Sequence, residues 1–143
     1  GPKVVEFNCR FGDPEAQVIL PRLKTDLVTA TLAVVEGGLG HFSMRWDERS
    51  AVTVVMAAKG YPSAYSKGTE IRGLSEAAER KDTLIFHAGT MITPEGTVKA
   101  DGGRVLAVTG LGTNGTSARQ TAYDAITDID WPDGFFRTDI AKS

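Results

Sequence analysis

The chain has 143 residues, 24% of them charged and 41% hydrophobic, with a formal net charge of −2 at pH 7. Those totals suit an ordinary globular protein of one domain, or one domain plus a piece of another, and they lack the basic excess of a nucleic-acid binder. No apolar run reaches the ~18 residues of a membrane span, no basic-then-apolar leader is visible, and the lone Cys9 rules out an internal disulfide or a cysteine metal cluster. The expected setting is the cytoplasm, with neither membrane nor nucleic acid as a partner.

Lys3 to Asn8 alternates as a strand, with Val5 and Phe7 on one side and Glu6 and Asn8 on the other. Two residues of strand rise separate Glu6 from Asn8 by about 6.5–7 Å. Cys9 falls on the opposite side and reads as a small core residue. Gly12-Asp13-Pro14 signals a turn, with Pro14 suited to the first position of a short helix. Thr25 or Asp26 can cap a second helix, in which Leu27, Ala30, Thr31, Val34 and Val35 share a face and which Gly37-Gly38 ends. Ala51 to Ala58 is a continuous apolar run, read as a buried strand, and a turn-rich loop, KGYPSAYSKG, follows it. Ser75 to Glu79 reads as a short helix. Leu84 to Ala88, Thr97 to Ala100 and Arg104 to Thr109 read as strands, broken by Thr93-Pro94-Glu95-Gly96 and Asp101-Gly102-Gly103. Thr116 to Ile129 is helical by spacing, with Ala118, Ala122, Ala125, Ile126 and Ile129 on one face. The last stretch, from Asp128 onward, shows no apolar strand run. The pattern is α+β.

The string Gly110-Leu111-Gly112-Thr113-Asn114-Gly115 is a literal G-x-G-x-x-G between a predicted strand and a predicted helix. A dinucleotide site also needs a second parallel strand beyond the helix, carrying an acid at its end. Asp128 and Asp130 lie near the right distance, but no strand follows, so a glycine-rich strand-to-helix turn is the better reading. His41 and His87 lack ligand-like partners and read as loop or sheet residues. The opening stretch carries the chemistry. Glu6 and Asn8 offer hard oxygen ligands from one face, the kind Mg²⁺ takes together with phosphate oxygens and water. From spacing alone, a solvated strand face is the better reading of the pair. Arg10 can pair with a carboxylate or a phosphate. Asp13 and Glu15 can hold an amine or start a helix.

The segment EFNCRFGDPEAQ closely resembles the signature of the phosphoribosylamine–glycine ligases, ATP-grasp enzymes of purine synthesis. RWDERSAV, GYPSAYSKG, IRGL, FHAGT, GGRVLAVTGLG and FFRTDI follow in that family's order, so the resemblance covers essentially the whole chain. It matches the C-terminal third of such an enzyme. The resemblance implies the end of an ATP-grasp domain over residues 1–40. It implies a small β-rich, barrel-sandwich-like C-terminal domain over residues 41–143, with the N-terminal part of the same enzyme as partner. It implies a ligase that uses ATP, glycine and 5-phosphoribosylamine, with Mg²⁺ or Mn²⁺. Glu6 and Asn8 would be the metal ligands, Arg10 a catalytic and substrate-binding group, and Asp13 and Glu15 further substrate-binding residues. Lys59 and Ser63 stand where the family commonly has glycine, and Ala141-Lys142 where Gly-Trp usually follows the Asp-Ile pair. A standalone β-rich binding module is the alternative.

Overall fold

The structure is a computed structural model and describes residues 1–142. Its centre is a four-stranded antiparallel sheet with strand order β2-β5-β1-β6. These strands are β1 (Ser50–Ala58), β2 (Thr83–His87), β5 (Arg104–Gly112) and β6 (Gly134–Phe136). A separate hairpin pairs β3 (Thr90–Ile92) with β4 (Val98–Ala100). β1 and β5 are long and apolar because both lie inside the sheet. Val54, Val105 and Val108 are fully buried. The two run antiparallel from the Ser50–Gly112 pair to the Met56–Leu106 pair. The next pair is Ala57–Arg104, so Val105 is an extra residue in β5.

One face of the sheet is covered by α4 (Gly115–Ile126). Its buried side is Ala118, Ala122, Ala125 and Ile126, which let the helix axis come close. Gly110 and Gly112 complete that approach, since a Cβ at Gly110 would strike Ala118 O and Ala122 N. The motif read as a strand-to-helix turn is one. Asn114 caps α4 through a reciprocal pair with Ser117, accepting from the Ser117 amide at 2.9 Å. Every ladder among the described residues is antiparallel, so the parallel strand that a dinucleotide site needs is not among them. α3 (Leu74–Glu79) packs beside β2.

The opposite face receives the chain before β1. A turn at residues 13–15 leads into α1 (Ala16–Ile19), so Pro14 precedes the helix rather than starting it. α2 (Leu27–Val35) is capped by Asp26, whose carboxylate accepts from the Thr29 amide at 2.8 Å. Gly37, with φ +70°, ends α2. Gly38 N then bonds Ala33 O at 2.8 Å and Gly37 N bonds Val34 O at 3.2 Å, the paired closure of a left-handed helix end.

Other expectations also need correction. Residues 1–8 form no strand. Alternation describes a side-chain pattern, but a strand exists only with a partner, and no other described segment pairs here. Cys9, expected in the core, is exposed because that segment has no core beside it. The expected apolar face of α2 is real in sequence but uncovered: only Ala30 is buried, and Val34 and Val35 are exposed. The final stretch does hold a strand. β6 is short, and it pairs Phe136, Phe135 and Gly134 with Met56, Ala57 and Ala58.

Lys59 follows β1 and makes two bonds to the turn before β6. Its amide bonds Asp133 O at 2.8 Å and its ammonium bonds Pro132 O at 2.5 Å, tying the loop after β1 to the turn before β6.

Candidate active site

The residues expected to carry chemistry lie along one run, from Glu6 to Gln17. Asn8 Nδ2 donates to Glu6 Oε1 at 3.2 Å, so the two side chains meet although no sheet holds them. Both are exposed. The contact leaves Asn8 Oδ1 and the second Glu6 oxygen as a pair of hard donors. Among the described residues no three His, Cys, Asp or Glu gather to hold a metal. A two-ligand set still suits Mg²⁺ or Mn²⁺ carried by nucleotide phosphates, where one or two protein groups suffice. Arg10 is exposed and turns back on its own backbone, donating Nη1 to Phe11 O at 2.7 Å.

The following turn is better held. Gly12 is buried, and the Glu15 carboxyl folds over it into the space a Cβ would take. Asp13 accepts from Gln17 Nε2 at 2.9 Å. Its second oxygen lies 2.9 Å from Arg104 Nη2, and its carbonyl accepts from Arg104 Nη1 at 3.1 Å. Gln17 O is met at 3.0 Å by the hydroxyl of Thr109, a fully buried residue of β5. The structure thus brings Glu6 to Asn8 and Asp13 to Gln17, and it fixes the turn to the sheet. Arg104 and Thr109 escaped the sequence reading. Both lie in a run that reads only as a strand, and nothing local marks a partner 91 or 92 residues away.

Beside the turn lies an apolar groove of about 320 Å³, with Pro14 and Arg104 in its lining. Thr53, Val55 and Ala57 of β1 floor it, and Tyr61, Phe135 and Ile140 wall it. Tyr61 also lies over Gly103, and Gly89 touches Gly102, so the loops GYP, AGT and GGR gather at one end of the sheet. His87 is exposed at the end of β2, with Nδ1 3.0 Å from Thr90 Oγ1.

A second network joins the early segment to the start of β1 and to Asp82. Arg49 holds Asp47 through Nε at 3.1 Å and Nη2 at 2.8 Å, and it reaches Asp82 with Nη1 at 2.6 Å. These hydrogen bonds from Arg49 hold the Asp47 carboxyl well below the usual carboxylate range. The same bonds raise Arg49. Arg22 adds a bond from Nη2 to Asp47 O at 3.1 Å.

Residues 51–143 match the family described as Phosphoribosylglycinamide synthetase, C domain. The chain is similar to proteins named phosphoribosylamine–glycine ligase. It is 53% identical to one from Mesorhizobium japonicum over 98% of this chain and 32% of that protein. It is 51% identical to one from Escherichia coli O157:H7 over 97% of this chain and 32% of that protein. A relative from Arabidopsis thaliana, named as chloroplastic, is 50% identical over 97% of this chain and 26% of its own length. The crystal structure of a Thermotoga maritima phosphoribosylamine–glycine ligase superposes with a TM-score of 0.72 at 35% identity, over 97% of this chain and 33% of that one. The chain therefore spans about a third, or less, of the length of these relatives. The antiparallel sheet backed by α4 occupies the matched region, and the chain belongs to the phosphoribosylglycinamide synthetase C-domain family.

Proposed function

We propose that this chain is the C-terminal part of an ATP-dependent ligase joining glycine to 5-phosphoribosylamine in purine biosynthesis. In this reading residues 1–40 end an ATP-grasp domain. Residues 41–143 form the C-terminal domain, barrel-sandwich-like once assembled with the rest. The observation that carries the reading is the Glu6–Asn8 contact, one turn before an acidic bend anchored to the sheet of a family member. The N-terminal part of the same enzyme would cover α2, whose Val28, Leu32, Val34 and Val35 are exposed. It would also give residues 3–8 their missing sheet partners. The substrates are charged and water-soluble, which suits the cytoplasm.

The reaction has two steps. A glycine carboxylate oxygen attacks the γ-phosphorus of ATP, and the bond to the β–γ bridging oxygen breaks, leaving ADP and glycyl phosphate. The ribosylamine nitrogen then attacks the carbonyl carbon, loses a proton and expels phosphate. Mg²⁺ or Mn²⁺, when bound, would neutralise the phosphate oxygens during transfer. Glu6 and Asn8 would hold it through their paired oxygens. Arg10 would swing from Phe11 O onto a phosphate or the reacting carboxylate, where its planar fork binds two oxygens at once. Glu15, and Asp13 with its carboxylate fixed by Gln17 and Arg104, would place the amine-bearing substrates. Such placement supplies much of the rate when a protein must align several small reactants.

The test uses a complete ligase carrying this segment. Phosphate release should require glycine, phosphoribosylamine and divalent metal together. Glu6→Gln should raise the metal concentration for half-maximal rate and cut turnover by about tenfold or more. Unchanged metal dependence would remove Glu6 from the site.

A further inference from the structure

One side chain from the C-terminal domain grips the acidic turn twice. Arg104 binds the Asp13 carboxylate at 2.9 Å and the Asp13 carbonyl at 3.1 Å. Thr109, on the same strand, holds Gln17 O at 3.0 Å. The two anchors are five residues apart, and in a regular strand an odd separation puts side chains on opposite faces. Here the register shift beside Val105 restores them to one face: Thr109 opposes Thr53, and Arg104 opposes Ala57. Thr53 and Ala57 share a face because four residues separate them. The extra residue thus aims Arg104 at Asp13, a use to which bulges near functional sites are often put.

We propose that Arg104 is a positioning residue of the ligase reaction. It acts through Asp13 to set the segment bearing Arg10, Asp13 and Glu15 against the C-terminal sheet. This rests on the function proposed above. Arg104 and Asp13 are both half-exposed, with side chains 42% and 46% accessible. Exposed ion pairs of this kind add little to stability. The twofold grip on side chain and backbone instead fixes geometry, and small misplacements of reacting groups cost rate heavily.

The experiment is a double-mutant cycle in the complete ligase, with thermal midpoints measured alongside. Arg104→Gln should lower kcat by about tenfold or more, with a much smaller change in the KM for ATP and a nearly unchanged midpoint. Arg104→Lys, which keeps the charge but not the fork, should fall between wild type and Arg104→Gln. The Asp13→Asn/Arg104→Gln double variant should be no slower than the slower single, since the two act as one unit. Multiplying losses, or an Arg104→Gln kcat within about twofold of wild type, would overturn the proposal. If Arg104→Gln does not fold, Arg104→Lys carries the same cycle. If the wild-type enzyme shows no turnover dependent on glycine and phosphoribosylamine, the ligase reading itself has failed. Hydrogen exchange on the 143-residue chain then judges the grip alone. The amides of Ala16, Val18 and Ile19, bonded to Gly12 O and Glu15 O, should exchange faster in Arg104→Gln. Unchanged exchange would overturn the grip.

Discussion

Asp47 is where a single carboxylate does most to join the early segment to the sheet. Its side chain is only 13% exposed and accepts from Nε and Nη2 of Arg49, whose Nη1 reaches on to Asp82. Arg49 lowers its pKa, so the folded chain favours the ionised form. The stabilisation is complete above the unfolded carboxylate value of about 4 and is lost as pH falls from there through the lower folded value. Asp47→Asn should therefore melt below wild type at pH 7. The gap should close as pH drops below about 4, as read by circular dichroism against temperature at a series of pH values. A constant gap would mean that the substitution costs packing rather than charge. Ala141 offers a second test. Its φ of +51° lies in the left-handed region. A Cβ there is strained, so Ala141→Gly should stabilise by about 0.5–1 kcal/mol in urea titration despite glycine's entropy. Candidate roles could be assigned in the sequence only where a motif spelled them, from Glu6 to Glu15. The partners of Asp13 and Gln17 were not legible there, because a distant arginine becomes a neighbour only through the sheet's register.

The elements that could be read in advance were those whose pattern is also their burial. β5 is buried along most of its length, β1 alternates buried Val52, Val54 and Met56 with half-buried Thr53 and Val55, and α4 shows its alanine stripe because that stripe meets the sheet. β6 was not legible: its three residues are defined by pairing with β1, not by any periodicity of their own. Residues 3–8 failed in the opposite sense, with alternation present and a partner absent. The glycine string between β5 and α4 separates packing from nucleotide binding in a way that can be measured. At Gly110 a side chain would collide with the α4 backbone, and at Gly112 with Ser117 and the Ala118 amide. At Gly115 nothing lies within 4 Å. Gly110→Ala should therefore destabilise by about 1–3 kcal/mol or more. Gly115→Ala should be neutral or slightly stabilising, by less than about 1 kcal/mol. A phosphate-cradling fingerprint would need its last glycine as well as its first, so equal damage at both sites would contradict the strand-to-helix reading.

At the scale of the whole molecule the chain divides by where its core lies. Every member of the buried hydrophobic cluster falls between Val52 and Trp131, and Trp131 is pinned there by a bond from its indole nitrogen to Thr69 Oγ1 at 2.9 Å. Residues before β1 add hydrogen bonds and ion pairs to that core but no member of it. They also carry the largest exposed apolar side chains, among them Val5 and Phe7 at 95% and 85% accessible. Two consequences follow for the isolated 143-residue chain. The region from Ser50 onward should unfold cooperatively by urea even when residues 1–43 are removed, because the truncation leaves the cluster and the Asp47–Arg49–Asp82 network intact. Catalysis should be absent, because it depends on aligning nucleotide, metal and two substrates at once. This chain contributes to that alignment one unpaired segment and one anchored turn. Titration calorimetry with ATP and Mg²⁺ should accordingly find binding weaker than micromolar, and a phosphate-release assay with glycine and phosphoribosylamine should read background. Micromolar binding or clear turnover would mean that these residues already form a complete site, and the proposal that the rest of a ligase supplies the nucleotide clamp would fall.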